Sequence, residues 1–218
     1  MRAVLSYAFC APGAGAFAPA DIPEPPLPAA GQALIAMEFA PVRLEYLTSK
    51  QRSSSPQRFP SLMGRDGVGR VLAVGHQVQN VRVGDRVLAP SGVSTWRQRL
   101  LVQADELYRL PHAADPLHMA LLLRRRLAIG PQATQELILK ASVRALRWKA
   151  GLIAGGRRRI PSTKVFPLWQ IAEAFDQARS GSHVLLDLQA KPDNLWSGYD
   201  VGEVGAVFAR VTDSDPWD

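Results

Sequence analysis

A chain that binds a metal, activates a nucleophile or cradles a phosphate must bring particular side chains together at particular spacings. Few such groupings occur in these 218 residues. The single cysteine, Cys10, and the four histidines His76, His112, His118 and His183 are scattered without ligand spacing. Zinc takes its ligands in closely spaced Cys/His groups, so no metal is expected and each histidine is read as a surface or structural residue. One G-x-G-x-x-G/A match exists, Gly13-Ala14-Gly15-Ala16-Phe17-Ala18. Such a loop holds a pyrophosphate only where a strand passes through it into a helix, whose first N–H groups face the phosphates. Pro19 and the run Pro23-Glu24-Pro25-Pro26-Leu27-Pro28 forbid that helix, so the match is not read as a dinucleotide site. The third grouping is basic: Arg124-Arg125-Arg126, the Lys140/Arg144/Arg147 stripe and Arg157-Arg158-Arg159. It suits nucleic-acid phosphates or an anionic membrane surface. Trp148 is the one aromatic interleaved with it, too few for base stacking, and a solvated helix face is the favoured reading.

The formal net charge of +7 is concentrated in that stretch. Residues 124–164 carry 11 basic side chains and one acidic, whereas 187–218 carry 2 basic and 7 acidic. A shift of this kind marks a boundary in the chain rather than a uniformly basic protein, and the acidic tail can offset the field of the basic segment. A hydrophobic fraction of 47% and the length suit one large domain or two small ones with a real core. One cysteine excludes a disulfide framework. No run of about 18 uncharged apolar residues exists, so a membrane-spanning helix is excluded. The opening Met1-Arg2-Ala3-Val4-Leu5-Ser6-Tyr7 is too short an apolar run for a secretory leader, and a cytoplasmic setting is expected.

The elements that must position any site come next. Ala3–Phe9 reads as a first strand, followed by a turn-rich, proline-rich stretch, and Gln32–Ala40 as a second strand. Gly67–Gly75, Gly84–Ala89 after a Gly84-Asp85 turn, Trp96–Val102 and Leu107–Pro111 read as further short strands. Turn-punctuated strands at this spacing predict a compact, closed or nearly closed β-barrel. Beyond Pro116 the pattern becomes helical: Leu117–Leu127 is apolar, and Thr134–Ala150 is amphipathic, with Gly151 as its stop. A short helix is predicted after Pro167, then a strand over Val184–Leu188. The tail from Gln189 has no period and is expected to be irregular.

The ordered series Gly64-Arg65-Asp66-Gly67-Val68-Gly69-Arg70-Val71, Val83-Gly84-Asp85-Arg86-Val87 and Thr95-Trp96-Arg97 resembles the catalytic domain of the medium-chain dehydrogenase/reductase superfamily. Within it, the zinc-free quinone reductase and trans-2-enoyl-thioester reductase group is most similar. Phe166-Pro167-Leu168-Trp169-Gln170-Ile171-Ala172-Glu173-Ala174-Phe175 resembles the segment with which such proteins return to that domain. The resemblance covers roughly residues 1–123 and 157–188. It implies a mainly β fold with α additions: a GroES-like barrel, with NADPH bound against an inserted Rossmann domain. Here the insertion is replaced by about forty basic, helix-like residues, so no complete Rossmann domain is expected. The expected organisation is a barrel over 1–123, a basic helical junction over 124–156, the return segment over 157–188 and an acidic irregular tail over 189–218.

The resemblance also sets the expectations for chemistry. Where zinc enzymes of the superfamily carry His-Glu, this chain has Arg65-Asp66. Where the enoyl reductases carry a proton-donating Tyr, it has Arg52-Ser53-Ser54-Ser55-Pro56. Ser54 is a poor replacement, since a serine hydroxyl is a far weaker acid than a phenol. Pro41-Val42-Arg43-Leu44-Glu45-Tyr46 departs from the usual Asn-Pro-Ser-Asp pattern, leaving Tyr46 as a local acid or a half-buried packing aromatic. The resemblance implies that Thr95, Trp96 and Arg97 lie near the nicotinamide and substrate; the competing reading has Trp96 capping the barrel. Asp66 and Arg86 are expected to be structural. The implied activity is hydride transfer from NADPH to an enoyl thioester or quinone, with the chain inactive or weakly active alone. The competing function is a binding module whose basic helix contacts nucleic acid or anionic lipid. Loss of the middle domain would also expose the barrel face and the Leu117–Leu123 helix, favouring a homo-oligomer.

Overall fold

The computed structural model describes residues 1–7, 17–44, 59–90, 92–110, 115–122, 163–191 and 199–201. The architecture is built around one long strand, β3 (Gln32–Pro41), whose alternating burial reflects the run Ala33, Ile35, Met37 facing inward. One edge of β3 pairs antiparallel with β5 (Val68–Val74). Its other edge is shared: Gln32–Ala36 pair with β7 (Arg99–Gln103), and Phe39–Pro41 pair with β10 (His183–Asp187). Register shifts between Leu34 and Ile35 and between Met37 and Phe39 bend β3 enough to serve all three neighbours. The sheet continues from β5 to β6 (Arg86–Leu88) and β8 (Tyr108–Arg109). A smaller sheet holds β1 (Arg2–Ser6) between β2 (Phe17–Asp21) and β4 (Ser61–Leu62).

The expected strands at residues 3, 32, 67, 84 and 184 onward are present, with ends shifted by a few residues. The strand expected from Trp96 begins only at Arg99, because Trp96–Gln98 form a bend with a single bridge to Ala3. The proline-rich stretch contributes an unexpected strand, β2. Pro19 sits opposite Val4 in it, which is tolerated because β2 is an edge and needs no second donor there. Phe17 and Ala18, the end of the G-x-G-x-x-G/A match, therefore lie in a strand that runs back along β1, not in a helix.

The C-terminal part extends the larger sheet, whose two ends among the described strands, β8 and β11 (Tyr199–Val201), are not paired with each other. β9 (Thr163–Pro167) runs parallel to β10, the one parallel pair among the described strands. Parallel strands need a crossover, supplied by a 3-10 turn (Leu168–Gln170) and a helix over Ile171–Arg179. That helix, α2 of two described, buries Ile171, Ala174 and Phe175 against the barrel core. The first, α1 (Pro116–Leu122), packs Ala120 and Leu121 with Val68, Leu110, Val165 and Leu185. The segment expected to be irregular after residue 188 adds a strand: β11 (Tyr199–Val201) pairs antiparallel with β9. Residues 123–162, with the basic clusters and the predicted helix at Thr134–Ala150, lie outside the described residues.

An ion-pair cluster ties three strands together on the sheet. Glu38 accepts from Arg70 Nε at 3.2 Å and from Arg86 Nε at 3.0 Å, tying β3 to β5 and β6. Asp85 Oδ2 accepts the Arg82 N–H at 2.9 Å and fixes the Gly84-Asp85 turn. Arg86 is thus structural.

Candidate functional site

Three chain segments converge where the resemblance puts the cleft: the end of β3 at Pro41–Arg43, the Gly64–Gly67 loop, and the Thr95–Arg97 turn. Backbone bonds join them. The Trp96 N–H donates to Met63 O at 2.9 Å, and the Val4 N–H donates to Trp96 O at 2.8 Å. The Thr95 hydroxyl donates to Asp66 O at 2.9 Å. These contacts need the two loops to touch, and Gly64 makes that possible. It has φ +91°, and a Cβ there would lie 2.5 Å from Trp96 Cδ1 and 2.6 Å from Thr95 Oγ1.

Trp96 is completely buried, as is Thr95. The indole N–H donates to Pro41 O at 3.3 Å, and the ring meets Phe175 edge to face at 5.6 Å. Phe175 stacks on Phe17 at 4.7 Å. Trp96 therefore links β3, the 64–67 loop and helix α2 from inside the core, the position of the barrel-capping reading. Its buried N–H is satisfied by a carbonyl, as an interior tryptophan requires.

Arg43 is the residue that sequence reasoning passed over. Only 9% exposed, it places Nη2 3.4 Å from Oδ2 of Asp66, itself 14% exposed. The available signal was a charge at the end of the apolar run Phe39-Ala40-Pro41-Val42-Arg43-Leu44, where an ion pair is required for burial. Asp66 is thus held through its side chain by Arg43 and through its carbonyl by Thr95. Its neighbour Arg65, the other half of the pair at the zinc enzymes' His-Glu position, is exposed. Among the described residues no group of three or more His, Cys, Asp or Glu side chains could hold a metal ion.

Arg97 behaves differently from its two neighbours. Its backbone bridges Ala3 of β1, and its side chain is half-buried. The guanidinium Nε is buried and has no hydrogen-bond partner. Burial pulls its pKa below the ordinary arginine value, with no carboxylate opposing the shift. Tyr46 and Ser54 lie outside the described residues. His76 is exposed in the turn after β5, His183 begins β10, His118 falls in α1, and His112 and Cys10 lie outside the described residues.

Residues 29–112 match the family model described as the alcohol dehydrogenase GroES-like domain. Over that stretch the chain is similar to a GroES-like domain, and the mainly β fold expected of one is present. A curated relative, the mitochondrial enoyl-[acyl-carrier-protein] reductase of Caenorhabditis elegans, is 34% identical over 83 residues, 37% of this chain and 24% of that protein. The match thus spans about a quarter of the enoyl reductase. Among solved structures, the human synaptic vesicle membrane protein VAT-1 homolog-like protein superposes with a TM-score of 0.67 at 14% identity, covering 88% of this chain and 99% of that one. The Escherichia coli quinone oxidoreductase complexed with NADPH gives 0.50 at 15% identity, covering 84% and 51%. These likenesses establish the fold. No described helix is long and apolar enough to cross a membrane.

The described residues do not fit a dinucleotide on their own. The glycine match runs into β2 instead of a helix, so it offers no N-terminus to a pyrophosphate. Of the three residues at the turn, Thr95 and Trp96 are fully buried and engaged by backbone carbonyls.

Proposed function

We propose that this chain is the barrel half of an NADPH-dependent reductase whose nucleotide-binding half is cut down, and that alone it reduces an enoyl thioester or a quinone slowly or not at all. One observation supports the reading above others: α1 ends at Leu122 and β9 begins at Thr163. A doubly wound nucleotide domain has two βαβαβ halves, and a single βαβ unit takes about 30 residues. The residues between α1 and β9 suffice for about one such unit, while β9 and β10 beyond them join the same sheet as β3 and β5. Hydride transfer depends on holding the nicotinamide at attack distance, and positioning of this kind is worth roughly 7–11 kcal/mol. A barrel without that half loses most of it.

In this reading Thr95 and Trp96 hold the turn in place, and Arg97 alone keeps a ligand-facing role. The barrel (1–123) and the return segment (157–188) form one folding unit, with the basic junction (124–156) spliced between them. The test is NADPH oxidation, followed by absorbance, with a 2-enoyl thioester and with a quinone as acceptors. The expected rate is indistinguishable from the protein-free reaction. Turnover in the ordinary enzyme range of about 1–1000 per second would overturn the reading.

A further inference from the structure

We infer that Arg97 is the anion-holding residue of a small oxyanion subsite at the Thr95–Arg97 turn, taking a phosphate or carboxylate group. This rests on the ligand-facing role assigned to Arg97 above, although its readout needs no NADPH. The Arg43 Nε is likewise buried without a hydrogen-bond partner, but its Nη2 meets Asp66, and Arg70 and Arg86 share Glu38. Arg97 has a buried Nε with no partner and no ion pair among the described residues. A buried donor left unmade costs stability, more so on a charged group, and burial without a partner disfavours the cation.

The surrounding geometry favours a ligand over a packing role. The backbone of Arg97 is fixed by its bridge to Ala3 and by its N–H donating to Thr95 O at 2.8 Å. Residues on either side are pinned too: Trp96 in the core, and Gln98 through its side chain to the Arg2 N–H at 2.8 Å. The guanidinium is thus carried on a rigid turn, with its Nε buried and the side chain as a whole half-buried. A planar fork of N–H donors matches the paired oxygens of a carboxylate or phosphate, and partial burial strengthens such a bond relative to one in water. An ammonium lacks that fork.

The experiment follows thermal melting of wild-type protein, Arg97→Met and Arg97→Lys in chloride, inorganic phosphate, pyrophosphate and acetate at matched ionic strength. In chloride, Arg97→Met should melt above wild type, because it removes a half-buried guanidinium that no carboxylate pairs while keeping an apolar stem. In a binding anion, wild type should rise by roughly 2–8 °C, the range expected of ligand saturation at this chain length. Arg97→Met should not rise, and Arg97→Lys should rise less. Phosphate or pyrophosphate acting without acetate assigns the site to a phosphate; acetate acting equally assigns it to any carboxylate or phosphate. The inference is overturned if no anion shifts wild type beyond chloride, if all three proteins shift alike, or if Arg97→Met melts lower or fails to fold. A flat NADPH titration with an Arg97-dependent phosphate shift would leave this inference standing. NADPH turnover with no such shift would remove it alone.

Discussion

Replacing Gly64 by alanine tests the contact on which the site geometry depends. Two costs apply. At φ +91° an L residue sits in the left-handed region, at about 1–2 kcal/mol. The new Cβ would also lie 2.5 Å from Trp96 Cδ1 and 2.6 Å from the Trp96 backbone nitrogen. Trp96 has nowhere to retreat, since it is fully buried and its N–H is bonded to Met63 O. Overpacking of this kind costs about 1–3 kcal/mol more. The expected total is about 2–5 kcal/mol. Gly84 supplies the control: its φ is +92°, but a Cβ there meets nothing within 4 Å, so Gly84→Ala carries only the conformational cost of about 1–2 kcal/mol. Urea denaturation of both variants, with unchanged slopes, reads the difference directly. If the two lose equal stability within about 0.5 kcal/mol, the close approach of the 64–67 loop to the Thr95–Trp96 turn is refuted.

Three further outcomes are expected. Arg43→Met leaves Asp66 buried without its cation and should cost about 3–5 kcal/mol, whereas adding Asp66→Asn to it should recover part of the loss; strictly additive losses in urea would deny the coupling. Trp96→Phe keeps an aromatic edge for Phe175 but strands the Pro41 carbonyl, so chemical denaturation should show a loss of about 1–3 kcal/mol, and an unchanged midpoint would argue against the indole bond. Burial raises the Asp187 pKa above the usual carboxylate value, the Gln189 and Ala190 N–H groups oppose it, and nearby Glu38 adds to it. The folded state then binds more protons than the unfolded chain between the ordinary and the raised value, so this carboxyl's stabilising share fades as pH climbs through that window. Asp187→Asn keeps the Oδ1 acceptor and should raise the denaturation midpoint at pH 7 but not at pH 3; a gain at both would place the effect elsewhere.

The barrel was legible because its strands are bounded by glycines and turns and alternate as half-buried strands do. Gln32–Ala40 and Gly67–Gly75 could be read from local pattern alone. β2 was not, since Pro19 argues against a strand until one knows that it lies on an edge. β9 was missed for a related reason: Thr163–Pro167 is short, contains Lys164, and is a strand only because Val184–Leu186 lie beside it in parallel. The site was legible as a set of segments and less so as a set of roles. Whether Trp96 faces a cleft or the core depends on Phe175 and Phe17, partners far away in sequence. Arg43 was visible as a charge in an apolar run, but its partner Asp66 belongs to another loop.

If this chain is the barrel half of a reductase without a complete nucleotide-binding half, as proposed, it should not hold a nicotinamide dinucleotide. Isothermal titration of the full chain with NADPH, on a sample shown to be folded by a cooperative melt, tests it most directly. The account predicts no saturable heat at micromolar concentrations. Saturable micromolar binding would contradict it and would mean that residues 123–162, or a second copy of the chain, rebuild a nucleotide site.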